Sequence, residues 1–591
     1  MAWGLSVFSM IRFFWHFNFS DHLPIRGLRL FVVFAIPFAL MSGCLSPEKA
    51  IREADTIGCG IVEDFTRDLT GRTNDFSIAR PSDRLRNRLL LEQNLDPEFA
   101  RSLRSSLVTN PPSPLPDPLV ISLSDALTIA PANDDAFQTE KENVFSQALS
   151  LDASRQEFET TFAGVFSGNF GGSKADGSPS SRSVDGKAPL SLSKKFKNGM
   201  ALAGSIGLDV ARLLTGDRTT TLGLTGDASL SIPLLRGAGR EIAMEALTQA
   251  ERDMMYAIYG FEDFRQRYAL KIAEGYYGML RAEQNQMALR DNAVRLDENF
   301  RKASMQFEAG RLSQVELDQT RQDLLSNRDS INTAESSFKS QLDSYKKSLG
   351  LPIDSRVVLD MKELDRVRDR IMQSITETNS LGQPVQPPQP WTEDEAIAIA
   401  MSNRIEVVLA RYKLEDARRQ FKLASDKLLP ELSLSLSANY GQDKKTGESW
   451  KDSSGYGAGV QFGPVWETTE PRNAYRMAAI AMDQAERSWI NLQDTTRQLI
   501  RDDFRSINTA WSSFLIQREA LAVARRRVRS TTIFQQAGKS STRDVLEAQD
   551  ALLKARNSAV GAVIDYRMAC LKLRCDLSLL SITEEGLLRE N

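Results

Sequence analysis

The residues of this 591-residue chain whose types and spacing could do chemistry are few, and they point to helix termini more than to catalysis. Ser313 stands three positions before Glu316, and Ser541 three before Asp544. The two pairs lie in related stretches, "FEAGRLSQVELDQTRQDLL" (Phe307 to Leu325) and "FQQAGKSSTRDVLEAQDALL" (Phe534 to Leu553). A hydroxyl followed by an acid at that distance is a capping box. The serine oxygen accepts a free N–H of the new helix's first turn while the acid reaches back. Gly310 and Gly538, just upstream, can adopt the left-handed conformation that ends the preceding helix. Each stretch is therefore predicted to be a tight turn between two helices. Arg311 and Lys539 beside the glycines read most simply as surface charge. Glu547 lies three residues after Asp544 on the same helix face and has no capping role, so its plain reading is a solvated face.

The N-terminus carries a different chemistry. Arg26 and Arg29 precede "LFVVFAIPFALM" (Leu30 to Met41), too short to span a bilayer as a helix but suited to a signal-peptide core. It runs into "LMSGC", which resembles a bacterial lipoprotein cleavage site with Cys44 as the lipidated first residue; cleavage without a lipid is the plainer alternative. Leu45 occupies the position where an Asp would favour inner-membrane retention, so the resemblance implies the outer membrane. Cleavage before Cys44 would remove His16 and His22, the only histidines. With them go Ser-His-Asp and Cys-His catalysis and histidine-ligated zinc. Of the remaining cysteines, Cys59, Cys570 and Cys575, the last two would sit about 8 Å apart along a helix, beyond comfortable disulfide reach, and read as small apolar residues. No catalytic residue, metal or cofactor is expected, and a net charge of −3 with pI ≈ 5.9 gives no reason to expect nucleic acid.

The elements that must position these turns come in two copies. "SDALTIAPAN" (Ser124 to Asn133) aligns with "EDEAIAIAMSN" (Glu393 to Asn403), each after a proline-rich linker, "NPPSPLPDP" or "GQPVQPPQP", that reads as a spacer. Each copy continues as a moderate helix, strands, a very long helix, the turn and a second moderate helix. The strands alternate: Leu432, Leu434, Leu436, Ala438 and Tyr440 share one face against Ser433, Ser435, Ser437 and Asn439, and Leu222, Leu224, Ala228, Leu230 and Ile232 oppose Thr221, Thr225, Ser229 and Ser231. Such a pattern suits a transmembrane barrel, apolar to lipid and polar to a lumen; it would also serve a soluble sandwich. The first copy has an extra stretch, Pro189 to Val210, that reads as a hairpin turning at Lys197-Asn198-Gly199, as further barrel strands or an external flap. The long helices, Gly239 to Ala309 and Arg472 to Ala537, would measure about 106 Å and 99 Å if continuous. Ala250, Met254, Ala257, Phe261, Phe264 and Tyr268 form a coiled-coil seam on the first.

With "IPLLRGAGR", "LLPELSLSLSANYG" and the two turns in this order, the chain from Ser122 to Leu580 resembles the TolC-type outer-membrane efflux proteins, in a lipid-anchored branch. The resemblance implies a mainly α fold with a β-barrel part: an outer-membrane barrel continued by a long periplasmic coiled-coil tunnel, with two repeats per protomer. Segments follow as 1–43 signal peptide, 44–121 extension and linker, 122–350 first repeat, 351–391 equatorial segment and linker, 392–580 second repeat, and 581–591 tail. It further implies a homotrimer, which physics favours independently because four to six strands cannot close a barrel alone. The implied partners are outer-membrane lipid, a periplasmic adaptor (membrane fusion) protein and an inner-membrane transporter. The tip turns, with Gly310, Arg311, Ser313, Gly538, Lys539 and Ser541, would meet the adaptor. Asp544, Glu547 and Glu316 match acidic positions at the periplasmic entrance or gate. The family's constriction arginine falls at Ser540, with Lys539 and Arg543 nearby. The function implied is a passive export duct in a tripartite efflux or type I secretion system. The alternative is a lipid-anchored coiled-coil spacer across the periplasm without a conducting lumen.

Overall fold

The structure, a computed structural model, describes residues 46–71, 76–80, 84–93, 118–173, 181–213, 220–373, 387, 389–445, 447–464, 466–537, 539–582 and 588–589. Cys44, Gly538 and the signal-peptide segment lie outside the described residues. The chain divides into units 1–60 and 61–591. The first contributes, among the described residues, Ser46 and the opening part of helix α1 (Pro47–Thr70); the second carries the remaining elements.

The elements of that unit run α2 (Leu85–Glu92), β1 (Leu119–Ile121), α3 (Leu123–Asn133), α4 (Asp135–Gln156), β2 (Thr160–Gly164), β3 (Ser167–Ser173), β4 (Ser181–Lys195), β5 (Ala201–Leu213), β6 (Thr220–Pro233), α5 (Arg240–Ala243), α6 (Glu245–Glu308), α7 (Gln314–Ser348), β7 (Val357–Leu359), α8 (Lys362–Gln373), α9 (Glu393–Asn403), α10 (Ile405–Asp426), β8 (Glu431–Lys445), β9 (Lys451–Gly463), α11 (Thr469–Gln536) and α12 (Thr542–Asp576). The duplication is exact in length for most helices: α3 and α9 have 11 residues each, α4 and α10 have 22, and α7 and α12 have 35. The same capping box opens α3 (Ser122 with Asp125) and α9 (Thr392 with Glu395).

The long helices α6 and α11 have 64 and 68 residues, about 96 Å and 102 Å at 1.5 Å per residue. The first begins later than its sequence suggests, because Met244 interrupts it after the single turn of α5. Each long helix packs against two shorter ones, α6 against α4 and α7, and α11 against α10 and α12, while α6 also lies on α12. The seam read from the sequence is real: Ala250, Met254 and Tyr268 are buried, and Ala257, Phe261 and Phe264 pack on them. Midway along the helices, β1 pairs in parallel with β7. There Tyr276, Tyr277, Leu280, Ile500, Ile507 and Trp511 form the largest core, which α2 joins through Leu89.

The shorter helices abut end to end at this level. Gly350, just past α7, has φ +68, and a Cβ there would sit 2.4 Å from the Asn133 carbonyl at the end of α3. In the second repeat Ser578, past α12, holds the same left-handed conformation at φ 55 and its Oγ accepts from the Ile405 N–H at 3.3 Å.

The seven strands β2 to β6, β8 and β9 form one antiparallel sheet in the order β2-β4-β5-β6-β8-β9, with β3 also on β4. Strands β2 and β3 pair with successive parts of β4, so together they occupy one position. The extra hairpin, β4 and β5, turns at the predicted place, with Gly199 at φ 92, and is part of this sheet. Pairing sets the faces in register. Leu202, Leu230, Leu436 and Ala458 make one row, and Ile232, Leu434 and Val460 another. The opposite face carries Ser193, Ala203, Ser229, Ser437 and Gly457 at one level. The apolar face is bare: Phe162 is 72%, Tyr456 96% and Val460 69% exposed.

Candidate functional site at the helical tips and the sheet

The turn after α6 is closed by two backbone bonds, Gly310 N–H to Phe307 O and Arg311 N–H to Gln306 O, both 2.8 Å. With Gly310 at φ 66 this is a Schellman end. The turn after α11 makes the equivalent outer bond, Lys539 N–H to Phe534 O at 2.8 Å. Both predicted capping boxes form. Ser313 N–H and Oγ–H donate to Glu316 Oε2 at 3.1 and 2.8 Å, while Ser313 Oγ accepts from the Glu316 N–H at 3.3 Å. Ser541 N–H and Oγ–H donate to Asp544 Oδ2 at 2.9 and 2.8 Å, and Ser540 Oγ–H adds a third bond at 3.0 Å. These donors favour the ionised acids, so the Ser313 and Ser541 hydrogen bonds hold Glu316 and Asp544 below the usual carboxylate range. Glu547 accepts from Arg543 Nε at 3.0 Å one turn earlier. Arg543, noted in the sequence only as a neighbour, therefore offsets part of the charge at Glu547.

Behind the tips, Leu296, Leu324 and Leu546 form a small core with Phe300, and Asn299 Nδ2 donates to Gln549 Oε1 at 3.0 Å. These contacts tie α6 and α7 to α12, and so bring the two turn neighbourhoods to the same end of the helices. One acidic pair is not apparent in the sequence. Asp323 on α7 is pushed up, first by burial and then by the facing charge of Asp550 on α12. A half-buried acid facing a second, exposed acid on the neighbouring helix, visible only once α7 and α12 are known to meet, was the missing signal.

A second buried acid lies halfway along the helices. Asp503 on α11 is 1% exposed and bonds Lys572 Nζ of α12 at 2.8 Å. Burial, opposed by that bond, pushes its pKa up to about 6. This one was legible in principle: Thr496, Ile500, Asp503, Ile507, Trp511 and Phe514 follow a heptad-like spacing and all are buried. Cys570 and Cys575 form no disulfide, and burial pushes both thiols up, Cys575 to about 12. They are packing residues, as read.

The sheet's polar face has its own construction. Hydroxyls lie over glycines of the neighbouring strand and donate to their carbonyls: Ser435 to Gly459 at 3.2 Å, Ser453 to Gly441 at 3.3 Å and Thr225 to Gly207 at 3.4 Å. The result is a hydrogen-bonded surface of short side chains, with the carboxylates of Asp209, Asp227 and Asp443 among them. An apolar face in need of burial and a wettable, hydrogen-bonded face are what a wall between lipid and water requires. Among the described residues no helix is long and apolar enough to cross a membrane.

Known proteins share this arrangement. Residues 205–351 and 396–574, more than half of the chain, match the family described as outer membrane efflux protein. The outer membrane protein TolC of Vibrio cholerae is 22% identical over 346 residues, which cover 57% of this chain and 73% of that protein. Among solved structures, the Campylobacter jejuni CmeC outer membrane channel is similar with a TM-score of 0.55 and 15% identity, over 79% of this chain and 87% of that one. VceC from Vibrio cholerae is similar with a TM-score of 0.56 and 14% identity, over 77% and 95%. The fold is therefore that of a TolC-like channel protomer.

Proposed function

This chain belongs to the outer membrane efflux protein family, and from that premise we propose that it is the outer-membrane channel component of a tripartite efflux or type I secretion system, a passive export duct across outer membrane and periplasm. The observation that carries the reading is the sheet: apolar and bare on one face, small and polar on the other, and joined to helices of about 100 Å. A spacer without a lumen has no use for a polar inner face.

Three copies make the working unit. The sheet of one protomer is open, and an open edge cannot sit in lipid. Ile516, Val523 and Ile533 on α11 are 64%, 48% and 54% exposed and recur at spacings of seven and ten on one helix face, which suits burial against a neighbouring copy. At the far end, the tip turns built on Gly310, Arg311, Ser313, Gly538, Lys539 and Ser541 take a periplasmic adaptor, which links the duct to an inner-membrane transporter. Glu316, Asp544 and Glu547 line the entrance. Cys44 carries the lipid that anchors the chain in the outer membrane. Labelled fatty acid is expected to enter the wild type and to be lost in Cys44→Ser; equal labelling of both would count against the anchor.

The function is tested by reconstituting the purified protein in a planar bilayer. Discrete ohmic conductance steps from a trimeric, detergent-extracted protein are the expected result. A monomeric, water-soluble protein that gives no conductance overturns the duct and leaves the spacer.

A further inference from the structure

We infer that three copies close a barrel of eighteen strands, in which the β4–β5 hairpin of the first repeat supplies one third of the wall. The inference rests on the trimeric duct proposed above. The second repeat contributes one hairpin, β8 and β9, between α10 and α11. A plain duplication would give four strands per protomer. The first repeat instead carries β4 and β5 between its outer strands, and both are paired over nearly their whole lengths. Strand β4 has 13 registered positions with β5, from Ser183 with Leu213 to Lys195 with Ala201, and β5 has 12 with β6. A flap would leave the sheet between β2 and β6; here the sheet runs through the hairpin.

Three features of the edges fit a second copy of this chain. Directions alternate across the six positions, so β9 of one copy meets β2 and β3 of the next antiparallel, as an odd number would not allow. The edges match in length: β9 spans Lys451–Gly463, and β2 with β3 spans Thr160 to Ser173. The faces also continue, since Phe162 and Phe170 stand on the side of the sheet that bears Tyr456, Val460 and Phe462. The hairpin obeys the same alternation, with Leu190 opposite Ile206 on the apolar face and Ser191 opposite Ser205 on the polar face.

Width follows from strand number. With strands about 4.8 Å apart and tilted about 40°, eighteen give a backbone diameter of about 36 Å, against about 24 Å for the twelve of a plain duplication. At mid-height the polar face bears Ser191, Ser205, Asp227 and Asn439 on one rung and Ser193, Ala203, Ser229 and Ser437 on the next; all are short, so side chains do not refill the added width. The barrel is then an open vestibule, and the helical tips limit passage.

Single cysteines in a background with Cys59, Cys570 and Cys575 replaced by Ala test this in proteoliposomes, with a charged, membrane-impermeant maleimide as probe and the background as zero. Ser191→Cys and Ser205→Cys are expected to label at least about tenfold faster than Leu190→Cys and Ile206→Cys, matching the contrast between Ser437→Cys and Leu436→Cys on β8. If Leu190→Cys and Ile206→Cys label like Ser191→Cys while Leu436→Cys stays protected, the hairpin lies outside the wall and the inference fails with the duct intact. If Leu436→Cys also labels freely, the membrane reading itself fails. Electron microscopy of the wild type in nanodiscs needs no substitution: eighteen strands in a section of the wall support the inference, and twelve overturn it.

Discussion

Asp503 shows how much one side chain can be changed by its neighbours. Its carboxyl is buried between α11 and α12, with Lys572 as its ion-pair partner and Asp576 close enough to raise its pKa further. A folded-state pKa of about 6 lies above the ordinary 3.8. The group's contribution to stability is therefore largest below pH 3.8, is lost as pH rises towards 6, and becomes a cost above it. Asp503→Asn is expected to stabilise the protein at pH 8 by about 1–3 kcal/mol and to lose that advantage below pH 4. Thermal unfolding of both proteins at the two pH values checks this, and a pH-independent difference refutes it. At the tips Asp544 caps α12 as well as carrying charge. Asp544→Asn with Glu547→Gln removes two charges per chain and keeps groups that can accept a hydrogen bond. The reversal potential of the trimer under a KCl gradient is expected to move towards zero, and block by a trivalent cation to weaken. Unchanged selectivity would mean that these acids do not line the entrance.

At the scale of elements, two glycines with the same dihedral angle separate backbone strain from crowding. Gly310 and Gly350 have φ of +66 and +68. Around Gly310 an added Cβ meets nothing within 4 Å, whereas at Gly350 it meets the Asn133 carbonyl at 2.4 Å. Gly310→Ala is expected to cost about 1 kcal/mol, the left-handed penalty alone. Gly350→Ala must also part the junction of α7 with α3 and is expected to cost at least about 2 kcal/mol more. Equal costs, measured by chemical denaturation in detergent, would show that the junction is not a close contact. The second repeat solves the same problem with Ser578, which accepts the left-handed penalty and bonds the free N–H at the start of α10. Ser541→Ala removes the cap of α12 and is expected to cost about 1 kcal/mol, read as faster amide exchange over Thr542 to Leu546.

The whole molecule is explained by what it leaves uncovered. The bare sheet face calls for lipid, and the exposed apolar residues of α11 call for a neighbouring copy. Ile516→Asp with Val523→Asp is expected to leave the protomer folded, since neither residue belongs to its core, and to shift native mass spectra from three chains towards one. A charge buried without a partner is costly enough to break such a contact. A stable trimer carrying both substitutions would move the subunit interface elsewhere.

Much of this was determined by the sequence alone, wherever the cause was local. Capping boxes act over three residues, helix seams over three and four, and strand faces over two, so Ser313 with Glu316, the stripe from Ala250 to Tyr268, and the Leu and Ser alternation of β8 could be read directly. The duplication made each reading twice testable. Tertiary structure decided what depends on distant segments meeting. It brought β4–β5 into the main sheet, because its register with β6 rests on rows that no single strand displays. It set Gly350 against Asn133 and Asp323 against Asp550, because those approaches exist only once α7 lies between α3 and α12. Burial of Asp503 likewise needed α12 to cover α11. A seam position in the sequence shows which face turns inward, and only the packed helices remove the water that gives an acid its ordinary pKa.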